Sequence, residues 1–457
     1  MLPETAADPT TTERTDLAWT AAPVPALLRL AWPIVLSMLS ASVMTLIDTL
    51  FVSRLGTWAL AGVGLGGMVS FSIVCFPIGS LGAVKILASQ AVGAGRTERV
   101  QRYLGAGLVL AVLMTAVCAT LAIAASEWIG HAAASEETAS AARTYVRLVA
   151  LGILPMLVRI SIEQTRLAVG DSRSPMAVAL LANISNVGFN YTFIIVLDWG
   201  VAGAAYGTVA ANVVGCVAMA AVQALRGFRV AGTRRADIVA AWRLGVPTGL
   251  QMLLEMGAFT MMVVMLTNLS DLDGAANQIA IQVIHFGFMP CVGIAEAASI
   301  LVGQAIGANR HDLVHTVARG ALGPIFAFTA AVALVFVAGG PWITSQFTTD
   351  PDLVALTTRL LLVAAAFQMA DGANILSRSV LRGTGDVRFC ATYGVLISWG
   401  LTPPLTWWLG YEMGMGALGG WLGLLIEIGI GAAVFWTRLR GTRWHFAADR
   451  TRAEAAG

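Results

Sequence analysis

The chain has 457 residues, 57% of them hydrophobic and 12% charged, with a formal net charge of +2 and a mean hydropathy of +0.76. Soluble domains carry about 25% charged residues, so a soluble globule is excluded. A helix that crosses a bilayer needs about 20 mostly apolar residues, and windows of that kind recur along almost the whole sequence.

Residues 1–24 are polar, with acidic and Thr-rich stretches. They lack the basic start and early apolar core of a signal peptide, so the first apolar window is expected to insert and stay. Twelve spans are predicted, at residues 30–52, 60–88, 104–126, 141–168, 174–197, 201–225, 243–268, 275–303, 316–338, 354–381, 388–409 and 415–438. The expected fold class is therefore an all-α polytopic membrane protein.

Arginine is retained on the cytoplasmic side of membrane proteins, and here it alternates between loops. Arg96, Arg99 and Arg102 follow the second span, Arg226, Arg229, Arg234 and Arg235 follow the sixth, and Arg438, Arg440, Arg443, Arg450 and Arg452 follow the last. The intervening loops carry Glu127, Glu136, Glu137, Asp198, Asp271, Asp273, Asp350 and Asp352. Both termini are expected in the cytoplasm. The basic clusters are short, flank the membrane and lack interleaved aromatics, so no nucleic-acid partner is expected. Cys75, Cys118, Cys216, Cys291 and Cys390 all fall in apolar windows without paired spacing, which suggests neither disulfides nor a zinc site.

The sequence repeats itself. Arg29-Leu30-Ala31-Trp32-Pro33 matches Arg243-Leu244-Gly245-Val246-Pro247, and Gln90-Ala91-Val92-Gly93-Ala94-Gly95-Arg96 matches Gln304-Ala305-Ile306-Gly307-Ala308-Asn309-Arg310, both at an offset of 214 residues. Gly170-Asp171-Ser172-Arg173 matches Gly385-Asp386-Val387-Arg388 at an offset of 215. Each half holds an even number of spans, so the halves enter from the same side as two parallel six-helix repeats. Such pairs commonly enclose a central site and alternate its exposure by rocking. Pro33, Pro77, Pro155, Pro247 and Pro290 fall within spans and are either bending points or static kinks.

An ionisable side chain at membrane depth is a functional candidate by default. Glu255 and Asp371 stand inside the seventh and tenth spans, each without a cationic neighbour one turn away. The pair is expected to share a proton or to ligate Na⁺. Asp48 lies near the outer end of the first span, and Asn183, Asn186 and Asn190 recur on one face of the fifth. They form either an amide-lined cavity with a second cation site or a polar glue between helices. Glu163 has Arg159 and Arg166 on its own helix and reads as a structural ion pair. Lys85, the only lysine, and Glu296 are gating candidates, with Lys85 able to snorkel to the inner surface; Glu427 has no evident partner. Gln278, Gln282 and His285 lie one turn apart and, with Phe286, Phe288 and Phe367, are candidates to line a substrate cavity, the aromatics by stacking on organic cations.

The segment Ile47-Asp48-Thr49-Leu50-Phe51-Val52-Ser53-Arg54-Leu55-Gly56, the Gln90 and Gln304 helix ends, and Leu381-Arg382-Gly383-Thr384-Gly385-Asp386, in that order and duplicated, resemble the multidrug and toxic compound extrusion (MATE) transporters over residues 28–438. Within that family Glu255 and Asp371 look like the C-lobe acids of the NorM-like branch, and Asp48 like the N-lobe acid found more widely. The resemblance implies a V-shaped pair of lobes: residues 28–226 as N-lobe and 243–438 as C-lobe, with an N-terminal tail (1–27), a linker (227–242) and a C-terminal tail (439–457). It further implies a monomer in the inner membrane that exports aromatic organic cations against Na⁺ or H⁺, with no cofactor and no catalysis. Where the proton-coupled DinF-like branch has an aspartate in the fifth span, this chain has only the asparagine row. The alternatives are a lipid-linked oligosaccharide flippase of the same superfamily, which would want basic residues for pyrophosphate, and a membrane-embedded lipid-modifying enzyme, which would want a catalytic cluster.

Overall fold

The computed structural model describes residues 17–129, 135–226 and 232–456, the side chains of Phe286, Ala455 and Ala456 excepted. Arg229 and the tail before residue 17 lie outside the described residues. Among those residues every regular element is a helix: a 3-10 turn (Ala18–Ala21), then α1 (Pro23–Ser53), α2 (Thr57–Gly93), α3 (Thr97–Trp128), α4 (Glu136–Val149), α5 (Ile153–Ala168), α6 (Arg173–Asn190), α7 (Gly200–Leu225), α8 (Arg235–Leu269), α9 (Asp271–Gly307), α10 (Asp312–Ser345), α11 (Pro351–Thr384), α12 (Val387–Leu405), α13 (Ala417–Arg440) and α14 (His445–Ala456). Helices α4 and α5 form one span through a 3-10 turn. Eleven spans among the described residues are long and apolar enough to cross a membrane. The remaining predicted span, the eleventh (residues 388–409), is α12, which is less apolar because it carries Arg388, Thr392, Tyr393 and two prolines.

Local chemistry sets the helix ends. Ser135 Oγ accepts the Thr138 amide at the start of α4, and Ser270 Oγ accepts the Asp273 amide at the start of α9, each satisfying a donor that the first turn leaves unpaired. The repeated sequence anchors are helix stops. Gly170 and Gly385 take φ of 84° and 93°, a left-handed conformation that favours glycine. The aspartate after each glycine then binds an arginine: Asp171 accepts from Arg166, and Asp386 from Arg438. Burial pushes the Asp171 carboxyl up, but the hydrogen bonds from Arg166 and Ser174 outweigh it and hold it below the ordinary value.

The duplication extends to an irregularity. After α6 the chain forms a π-helix, Tyr191–Val196, and after α12 another, Thr406–Glu412. Well under 1% of residues adopt this conformation, so its recurrence one repeat later marks it as inherited geometry rather than a local accident.

The halves exchange the beginnings of their first helices. Leu27, Leu30, Ala31 and Ile34 of α1 are buried in a core made mainly by α9, α10 and α11. Reciprocally, Ala241 and Leu244 of α8 are buried in the core of α2, α3 and α5. Each helix then passes Pro33 or Pro247 and continues in its own half, α1 against α6 and α8 against α12. Proline inside a span is tolerated where neighbours satisfy the freed carbonyl.

The lobes meet at the end that carries both termini. There the ends of α2 and α9 cross so closely that a Cβ on Gly93 would stand 1.9 Å from the Gln304 carbonyl oxygen, and one on Gly307 equally 1.9 Å from that of Gln90. Glutamine side chains lock the crossing with the same two-fold logic. Gln90 Nε2 donates to the Gly383 carbonyl at 3.3 Å, and Gln304 Nε2 to the Ala168 carbonyl at 3.0 Å. Trp19 Nε1 donates to Gln304 Oε1, while α14 straps the seam: the Glu454 carbonyl accepts from Arg99 and Tyr103 of α3, and Thr451 donates to the Thr384 carbonyl of α11. At the opposite end the same helices pack within their own lobes, α2 at Gly62 and Gly66 against α4, and α8 at Gly257 against Trp399 of α12. Leu46, Leu50, Met68, Met261 and Val264 are exposed there. The arrangement is a V, closed at the end of the termini.

Candidate ion-coupling and substrate site

The C-lobe acids sit in a network built around an arginine. Glu255 lies midway along α8, and Arg378 of α11 donates through Nη2 to both of its oxygens, at 2.7 and 2.6 Å. Gln251, one turn earlier, donates to Glu255 Oε1 at 2.8 Å, and Arg382 donates to Gln251 Oε1 at 3.0 Å. Arg378 also lies over the Phe435 ring, 5.6 Å from its centroid. Space for the network comes from Gly394 of α12, where a Cβ would stand 2.4 Å from both Gln251 Nε2 and Glu255 Oε1.

Glu255 has no cationic neighbour one turn away, yet it is ion-paired. Its own helix supplies no partner, but α11 does. The signal was present in the sequence: Asp371, Asn374 and Arg378 recur at helical spacing inside the tenth apolar span, with Arg382 just past its end, and an arginine at that depth demands an acid.

Asp371 is different. It is 4% exposed, and its Oδ2 has no hydrogen-bond partner among the described residues; Asn374 Oδ1, one turn on, is likewise buried and unpartnered. Glu427 of α13, which had no evident role, is buried within the electrostatic reach of Arg378, Glu255 and Asp371. The C-lobe core therefore gathers three acids and two guanidinium groups. No group of three or more His, Cys, Asp or Glu among the described residues is placed to hold a metal ion.

In the N-lobe the structure brings Asp48 and the asparagine row together. Asn190 Nδ2 donates to Asp48 Oδ1 at 2.6 Å and to Asn186 Oδ1 at 2.8 Å. Asn183 instead donates to Ser40 of α1 at 2.9 Å. Asn186 and Asn190 are buried at 5% and 1% exposure, so the row fastens α6 to α1 and presents only Asp48 toward its edge. Gly207 of α7 leaves room for Asn190, because a Cβ there would stand 2.0 Å from Asn190 Oδ1.

The other candidates divide. Gln278, Gln282 and His285 form one exposed face of α9 at the open end of the V. Phe367 is buried against Trp421, ring centroids 6.1 Å apart, and belongs to the C-lobe core rather than a cavity wall; the Phe286 side chain lies outside the described residues. Glu163 pairs with Arg159, one of its two expected partners, while Arg166 pairs with Asp171. Lys85 does not snorkel: it is buried and paired with Glu296 across the two lobes. Sequence reasoning missed an aromatic ladder, Phe189, Phe193, Trp199 and Tyr206, with successive centroids 5.8, 5.0 and 5.8 Å apart, beside a recess of about 720 Å³. Its only sequence signal is the four-residue spacing of Phe189 and Phe193.

Two parallel six-helix lobes match a known family, whose MatE profile covers residues 33–192 and 247–408. The chain belongs to the MatE family. It is 30% identical to a probable multidrug resistance protein NorM from Bradyrhizobium diazoefficiens, over 90% of this chain and 92% of that one. A protein of the same description from Deinococcus radiodurans is 30% identical over 89% and 92%. Among solved structures, an outward-facing multidrug resistance MATE transporter of the MOP superfamily superposes with a TM-score of 0.85 at 21% identity, covering 93% of this chain and 96% of that one. A MOP superfamily transporter from Pyrococcus furiosus, described by a reversed binding-pocket polarity, gives 0.84 at 22% identity, covering 95% and 97%. This MatE protein is a multi-pass membrane transporter, and it shares its overall fold with these structures.

Proposed function

We propose that the protein is a secondary exporter of aromatic organic cations, driven by protons that enter through the C-lobe, and that Asp371 is the group that carries them. The observation behind this reading is the orphaned, buried Oδ2 of Asp371 beside a Glu255 already neutralised by Arg378. A proton converts that unpaired acceptor into a donor and removes a charge from the lobe, which an ion-paired glutamate cannot do as readily. Asp48, bonded by Asn190, is the N-lobe counterpart. Three acids against two guanidinium groups leave an acidic excess in the C-lobe, which supports cationic cargo over the pyrophosphate of a flippase. The arginine-rich loops converge on the closed end of the V, so the termini are assigned to the cytoplasm of the inner membrane, and the open end faces outward. A site contained within one chain supports monomeric action.

The test is efflux of a fluorescent cation such as ethidium from loaded vesicles holding the purified protein. An imposed pH gradient should drive it, and a Na⁺ gradient at constant pH should not. Transport driven by Na⁺ alone would overturn the proton assignment while leaving the exporter intact.

A further inference from the structure

We propose that a basic pocket at the closed end of the C-lobe, between the start of α10 and the end of α13, binds the phosphate of an anionic phospholipid. The pocket has a volume of about 600 Å³ and is lined by Asp312, His315, Thr316, Arg319 and Arg440. Arg319 and Arg440 are exposed, and neither has an ion-pair or hydrogen-bond partner among the described residues. The acid at the rim does not neutralise them, because Asp312 is held by Arg310 through three contacts of 2.8 to 3.2 Å. Thr316 and His315 add a hydroxyl and an imidazole. Two guanidinium groups with neutral donors between them are the chemistry that recognises a phosphate.

The position says which phosphate. Arg319 stands two turns into α10, and no charged residue follows it until Asp350, so it marks the edge of the hydrocarbon. Beyond it α10 turns an apolar face outward, with Phe326 37%, Leu334 67% and Val337 55% exposed, a path for acyl chains below a headgroup held at the pocket. Basic pockets between spanning helices at the cytoplasmic surface are known to hold anionic headgroups. The duplication provides an internal control. One repeat earlier Gly105 stands for Arg319, Gln101 for His315 and Arg102 for Thr316 at the offset of 214, and Leu225 stands for Arg440 at the offset of 215 that holds from Gly170 onward. Those positions hold one guanidinium group in the N-lobe and two in the C-lobe, so the paired arrangement of Arg319 and Arg440 is not repeated. It is independent of the transported cation and of the coupling ion.

The experiment uses the full chain purified in a neutral detergent and compares phosphatidylglycerol, phosphatidylcholine and inorganic phosphate. Phosphatidylglycerol should raise the unfolding temperature of the wild type by several degrees through mass action and remain attached in native mass spectra. Phosphatidylcholine and inorganic phosphate should do neither. In R319Q/R440Q the temperature shift should vanish and the attached phosphatidylglycerol fall at least tenfold. R440Q alone alters only an exposed helix end and guards against misfolding of the double variant; it should lose part of both signals. An undiminished phosphatidylglycerol response in R440Q and in the double variant would overturn the site, and an equal response of the wild type to inorganic phosphate would overturn its assignment to a lipid.

Discussion

Arg378 holds both carboxylate oxygens of Glu255 from a helix that the sequence places more than a hundred residues away, at 2.7 and 2.6 Å. Removing one partner of a buried pair leaves an uncompensated charge and costs about 3 to 5 kcal/mol, whereas removing both can be nearly neutral. The two side chains keep 17% and 24% of their exposure, which places R378Q near the lower end, about 3 kcal/mol. The double variant E255Q/R378Q is expected to regain most of that loss. Unfolding of the two single variants and the double one, analysed as a double-mutant cycle, measures the coupling directly.

Asp371 should behave in the opposite way. Its Oδ2 makes no hydrogen bond among the described residues, so D371N removes no bond at that atom and should change stability by less than about 1 kcal/mol. Cation-driven efflux should fall at least tenfold all the same. Thermal unfolding alongside vesicle efflux separates these outcomes, and a D371N protein that pumps normally would remove Asp371 from the coupling path.

The crossing of α2 and α9 leaves no room for a methyl group. In G93A and G307A the added carbon would meet a carbonyl oxygen at 1.9 Å in each case, far inside contact distance, so the closed end must part. Because the two clashes are repeat-related, both variants should shift the protein toward the state that is open at the end of the termini, and by similar amounts. Spin-label distances measured across that end from α3 to α10 should lengthen in both.

Acidification should loosen the C-terminal strap. His311 is packed against His445, 5.1 Å between centroids, and its Nε2 lies 3.6 Å from Asp449. Burial, reinforced by His445 and Arg452 against the pull of Asp449 and Asp312, holds the His311 imidazole below its ordinary value of 6.5. The unfolded chain therefore binds this proton more readily than the folded one, and stability falls as pH drops through 6.5 toward the lower folded value. Amide exchange across His445–Ala456, corrected for intrinsic rates, should be faster at about pH 5.5 than at about pH 7.5, and H311Q should weaken that dependence.

Much of this architecture was legible in the sequence, because hydropathy and duplication are local or periodic signals. The twelve windows, the offset between repeats and the shared face of Asn183, Asn186 and Asn190 all follow from spacing along the chain. What escaped depends on which faces meet in space. Arg378 was readable as a buried cation but not as the partner of Glu255, since no spacing relates α8 to α11. Lys85 looked free to reach the surface, and its pairing with Glu296 needed the two lobes to be brought together. Phe367 shows the reverse error: an aromatic among apolar residues cannot be assigned to core or cavity until its neighbour, Trp421, is known.

The exchange of helix beginnings bears on how the protein is made. Leu27, Leu30, Ala31 and Ile34 complete a core whose other members, such as Ala298, Val314 and Leu381, are synthesised more than half the chain later. Domains generally fold as units as they emerge from the ribosome, yet here the first helix must wait in the bilayer, its proper neighbours unwritten, until the second half arrives. Neither half is a finished object. Co-expressed as separate fragments, the two would be expected to mature only by finding each other, and each alone would offer the quality-control machinery of the membrane an unfilled seat.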